Sequence, residues 1–77
     1  MQIDRVFVEG LDEEQQRTDL TQRLNHMIGV KGVSIDGHLQ CIKLKYETPM
    51  TLNTLEKEIY DAGFKVLRTV KGEITNE

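Results

Sequence analysis

Val33-Ser34-Ile35-Asp36-Gly37-His38-Leu39-Gln40-Cys41-Ile42-Lys43-Leu44-Lys45-Tyr46 is the stretch that decides the fold. Val33 and Ile35 share one face of a short strand, and Asp36-Gly37 is a two-residue hairpin signal. The pattern predicts a further strand at once, over His38 to Tyr46. Ile42 and Leu44 fall on one face of it, and Leu39, Cys41, Lys43 and Lys45 on the other. Two tightly joined strands with a helical pattern on either side mark the centre of a β-α-β-β-α-β chain.

Upstream, Leu20, Leu24, Met27 and Ile28 recur at helical spacing until Gly29 ends the run. Asp12 is placed to cap that helix, with Gln15 in capping-box position and Glu13 and Glu14 suited to its positive end. Before it, Val6 and Val8 alternate with Phe7 and Glu9, so about Gln2 to Glu9 reads as a half-buried strand ending at Gly10. Downstream of Pro49, Leu52, Leu55, Ile59 and Ala62 mark a second helix stopped by Gly63, and Lys65 to about Val70 makes the last strand. Right-handed crossovers place both helices on one face of a four-stranded antiparallel sheet, an α+β ferredoxin-like βαββαβ sandwich. The first loop, the Asp36-Gly37 hairpin and the Gly63-Phe64 turn then share one end of the sheet. Residues 1–77 read as a single domain, with its core over about 3–70 and a tail over 71–77.

A chain of 77 residues buries about 60% of the surface its unfolded form exposes, so the core is thin. With 38% hydrophobic and 30% charged residues, the balance is that of a folded, soluble domain. The net charge of -3 argues against nucleic acid as partner, because that affinity comes largely from Lys and Arg neutralising phosphates. No run approaches the roughly 20 apolar residues of a membrane span, and no secretory h-region opens the chain. One cysteine, Cys41, forms no intrachain disulfide; with the other features this gives a cytoplasmic reading without membrane association.

Val8-Glu9-Gly10-Leu11, the Leu20 and Leu24 pair, Ile28 to Ile35 and Ile59-Tyr60-Asp61-Ala62-Gly63-Phe64-Lys65-Val66 together resemble the heavy-metal-associated domain family. That family includes copper chaperones and the N-terminal modules of metal-transporting P-type ATPases. The resemblance covers about Ile3 to Val70. Its functional signature is GMTCxxC, two thiolates gripping Cu(I) or a similar ion at the mouth of the first helix. Aligned from Gly10, those thiolate positions are Glu13 and Gln16, with Leu11 for Met and Asp12 for Thr. Soft Cu(I) prefers sulfur, so the metal loop is degenerate and no cofactor is expected there.

Asp12, Glu13 and Glu14 supply carboxylates, but a hard cation needs six or more converging oxygens, and adjacent helix positions diverge. Their simpler role is to satisfy the helix terminus. Cys41 and His38 are the remaining metal candidates. As i and i+3 on a strand they point to opposite faces, which counts against a site within one chain; the alternative is copper(I) or another soft metal held by Cys41 between two chains with help from His38. Leu11 and Phe64 are expected to form a small apolar cap beside Glu13 and Glu14 that docks a partner. Phe7, with Leu39 and Cys41, offers a second patch on the open sheet face.

An acylphosphatase-like enzyme would need an arginine in the first loop, where three carboxylates would repel its anion. RNA binding would need aromatic platforms on both central strands, and the third strand has Leu39 and Cys41 there. The sequence therefore leads to a non-enzymatic interaction or regulatory module in metal homeostasis. Its expected partner is a metal transporter domain, a chaperone or a second copy of itself.

Overall fold

A computed structural model describes residues 1–72 of the chain. Its elements are β1 (Gln2–Glu9), α1 (Glu14–Asn25), β2 (Val30–Asp36), β3 (Cys41–Tyr46), α2 (Leu52–Asp61) and β4 (Lys65–Lys71). The strands form one antiparallel sheet in the order β2-β3-β1-β4. The four strands and two helices are thus the ferredoxin-like arrangement expected. Lys71 belongs to β4 and not to a tail, and residues 73–77 of the expected tail lie outside the described residues.

Alternation divides the sheet. Val6, Val8, Ile42, Leu44 and Tyr46 point to the helices and pack with Leu20, Leu24, Leu55 and Ile59 in one buried cluster. On the opposite, open face the register lines up Asp36, Cys41, Phe7 and Arg68 in one row across the sheet, and Lys43 with Arg5 in the next. Lys45 and Lys65 also fall on this face, against the acids Glu9 and Asp36. The helices carry the reverse balance, with Glu14, Asp19, Glu56, Glu58 and Asp61 against Arg17, Arg23 and Lys57. One molecule thus presents a basic sheet and an acidic helical layer.

Three local expectations are corrected. The helix cap is Glu13, not Asp12: Glu13 and Gln16, at N-cap and N3, form the reciprocal capping box. α1 ends at Asn25, before Met27 and Ile28, and Ile28 is 78% exposed. The chain turns out at Gly29, where φ is +94° and a Cβ would sit 2.6 Å from the Glu47 carbonyl oxygen. That turn lets β2 begin at Val30. The two-residue hairpin is instead a four-residue turn over Gly37 to Gln40, so β3 begins at Cys41 rather than His38. A two-residue I′ turn needs positive φ at both central positions. Here the only positive φ in the turn is at Gln40 (54°), and the Asp36 carboxylate accepts from the His38 and Leu39 amides at 2.9 and 3.0 Å. Gly37 serves a close approach: a Cβ there would meet Arg17 Nη1 at 2.6 Å.

At the far end of the sheet a carboxylate lies inside the core. Asp4 is fully buried and accepts from Tyr46 Oη at 2.5 Å, the Gly72 amide at 2.6 Å and Gln2 Nε2 at 3.2 Å. Those bonds tie β1 to the ends of β3 and β4. No described buried side-chain nitrogen or oxygen lacks a partner.

Candidate functional site

The connection from β1 to α1 is built from the backbone outward. Gly10, at φ +106°, turns the chain against Phe64, whose Cδ1 lies 3.2 Å from where a Cβ would stand. The turn drives Leu11 inward, where it is fully buried. This leaves the amides of Gly10 and Leu11 facing the β2–β3 turn. Gln40 meets them: its Oε1 accepts from Gly10 at 3.1 Å and Leu11 at 3.0 Å. Its Nε2 donates to the Gly37 carbonyl at 2.7 Å and to Asp12 Oδ1 at 3.4 Å. From the other side Arg17 Nη1 donates to the Leu11 carbonyl at 2.8 Å. A single amide side chain therefore clasps two loops together.

Glu13 and Gln16 complete the mouth of α1. The Glu13 amide donates to Gln16 Oε1 at 3.3 Å, while the Glu13 carboxylate accepts from the Gln16 amide. Each donor set is thereby occupied in closing the helix terminus. Chemically the loop offers hard oxygens, those of Asp12, Glu13 and Gln16 engaged in hydrogen bonds, and no sulfur. This is a poor setting for a soft cation.

The other expected site residues are distributed as follows. Leu11 and Phe64, expected as an exposed apolar cap, are both core residues, with Phe64 8% exposed. The large exposed apolar side chain at this end is Leu39, in the β2–β3 turn and not on β3. Phe7 lies on the open face with the Arg68 guanidinium 4.2 Å above its ring. Cys41, in the same cross-strand row, is 6% exposed rather than a surface thiol, and burial pushes its pKa up. His38 is exposed in the turn. Among the described residues no three of His, Cys, Asp and Glu gather to hold a metal.

Sequence reasoning missed Gln40, Arg17 and Asp4. Gln40 gave no local signal, because its role depends on a turn it helps to create. Arg17 lies a full turn into the helix, but its length brings it back to the loop. Cutting Gln40 to Ala leaves the Gly10 and Leu11 amides without their acceptor, a loss of about 1–3 kcal/mol. Chemical denaturation measures that loss, and faster hydrogen exchange at those two amides shows that it arises in the loop.

No family model and no curated protein matches the chain. Among solved structures, the CsoZ metallochaperone superposes with a TM-score of 0.82 at 39% identity, covering 86% of this chain and 96% of that one. The chain belongs to that metallochaperone family. The heavy-metal-associated fold is shared at lower identity by the CopZ metallochaperone, with a TM-score of 0.81 at 18% identity over 84% of this chain and 98% of that one. It is shared too by the N-terminal domain of a potential copper-translocating P-type ATPase from Bacillus subtilis, solved in its Cu(I)-loaded state. That domain gives a TM-score of 0.79 at 20% identity, with all of both chains covered. These two show the fold alone. Within the metallochaperone family this chain holds a single cysteine, on β3, far along the sequence from the loop that opens α1. No described helix is long and apolar enough to cross a membrane.

Proposed function

We propose that this chain is a non-enzymatic interaction module of metal homeostasis whose first loop has exchanged metal binding for a closed, hydrogen-bonded form. One observation carries the reading. The two positions that the family resemblance aligns with metal thiolates, Glu13 and Gln16, cap each other at the helix terminus. The Gln40 clasp supports it, since it holds the loop backbone without any ion. A transporter domain or a chaperone is the natural class of partner, because the fold is common to a metallochaperone and to a domain of a transporting ATPase.

The alternative is Cu(I) held by Cys41 between two chains. The 39% identity to a metallochaperone favours some metal handling, while the burial of Cys41 and its raised pKa oppose thiolate ligation. An anaerobic Cu(I) titration of reduced protein against a chromophoric chelator separates the two. The expected result is competition no stronger than that of an isolated thiol, with Cys41→Ser removing even that. A tight site in the parent that vanishes together with dimerisation in Cys41→Ser would replace this reading by the alternative.

A further inference from the structure

β2 closes one side of the sheet, and beyond it no described strand takes its outer backbone groups. Such an edge is a template for one more strand. On the open face beside it lies a hollow of about 320 Å³ lined by Lys31, Gly32, Val33, Ser34, Lys43 and Lys45. The register slip between Val30 and Gly32 falls at the same place.

Gly32 makes the hollow. Glycine inside a strand weakens it relative to alanine, and it usually marks a special φ or a close approach by another group. Gly32 has neither reason within the chain. Its φ is not positive, and a Cβ would touch nothing nearer than Lys45 Cδ at 3.5 Å, an ordinary contact. What the missing side chain does is leave the floor open between lysines on two strands.

The surroundings select the occupant. This face is basic in a chain whose net charge is -3, so carboxylates are favoured here and nowhere comparable on the helical layer. Lys31 reaches Glu47 at 3.5 Å, but the pair is exposed and adds little. Nucleic acid bases would need an open ring to stack on. The aromatic ring of this face, Phe7, is already covered by Arg68. An extended acidic polypeptide needs only the edge and the lysines.

We propose that the β2 edge receives an acidic, extended segment of a partner protein as a fifth strand, its alternate Asp or Glu side chains lying over the Gly32 hollow. This surface is separate from the α1 loop and does not depend on what that loop binds. The test is an amide-shift titration of the full isotope-labelled chain with a synthetic peptide of alternating Glu and Val. A Lys-Val peptide and a deoxythymidine oligomer serve as comparators. The expected result is shifts along Val30–Asp36 with the acidic peptide, weakened about tenfold by Lys45→Glu and by Gly32→Leu. Gly32→Leu fills the hollow without changing charge, so it separates shape from electrostatics. Absence of shifts on β2, equal shifts with the Lys-Val peptide, or stronger shifts with the oligomer would each overturn the proposal.

Discussion

Changing Glu13 and Gln16 together to cysteine is expected to convert the chain into a tight one-to-one Cu(I) binder, with the unaltered protein expected to compete for the ion no better than a lone thiol. The two positions are three residues apart on the first turn of α1, both exposed at the helix mouth. Thiols there are pulled towards the thiolate by the positive helix end. Two thiolates so placed form a soft donor pair that the parent lacks. The surrounding backbone stays in place, since Gln40 and Arg17 hold Gly10 and Leu11 through groups the substitutions leave alone. The capping box is lost, which lowers stability by about 0.5–2 kcal/mol. Chelator competition reads the gain and thermal melting reads the loss. A variant that folds but does not compete would mean that the clasped loop holds the two positions apart, and would separate loop geometry from ligand identity.

Asp4→Ala should produce the largest fall in stability of any single change described here, about 3 kcal/mol by denaturant titration. The substitution leaves the Tyr46 hydroxyl and the Gly72 amide without their acceptor in the core. Small domains have only about 5–15 kcal/mol to lose, so the variant should be partly unfolded at moderate temperature. The same carboxylate sets a pH dependence. Burial pushes its pKa up, but hydrogen bonds from Tyr46, Gly72 and Gln2, with the nearby charge of Lys71, outweigh burial and hold it below its ordinary 3.8. Because the folded value lies below the unfolded one, this contribution is complete above the ordinary value. It is lost as pH falls through the lower, folded one. Stability measured downward from neutral pH should therefore fall in the acid range, and Asp4→Asn should flatten that part of the curve. An unchanged acid limb in Asp4→Asn would assign acid sensitivity to other carboxylates.

The residues that set the core were legible from alternation and helical spacing alone. Val6, Val8, Leu20, Leu24, Ile42, Leu44, Leu55 and Ile59 are all buried. What escaped are features decided by contacts distant in sequence. Asp36-Gly37 carries a hairpin signal that Arg17 and the Asp36 carboxylate override, one by needing the space at Gly37 and the other by drawing in two amides. Cys41 falls on the open face as alternation requires, yet lies covered in a row shared with Phe7 and Arg68, which no single strand reveals. Leu11 looked like a surface residue because it belongs to a loop, and the turn at Gly10 sends it into the core. That residues 10–16 hold no sulfur was readable. That Glu13 and Gln16 cap one another was not, because Asp12 is the better intrinsic cap and Glu13 takes the position instead.

The division of charge between sheet and helices has a consequence for how the molecule behaves as a colloid. The molecule is about 18 Å through its shortest axis, more than twice the Debye length of about 8 Å at physiological ionic strength. Each layer therefore sets the potential that an approaching charge meets on its own side, largely unscreened by the other. Although its isoelectric point is near 5.3, the protein should be retarded on cation-exchange as well as anion-exchange media at neutral pH when the ionic strength is near physiological. In an encounter it would be turned by the field before contact, its orientation chosen by the sign of what it meets.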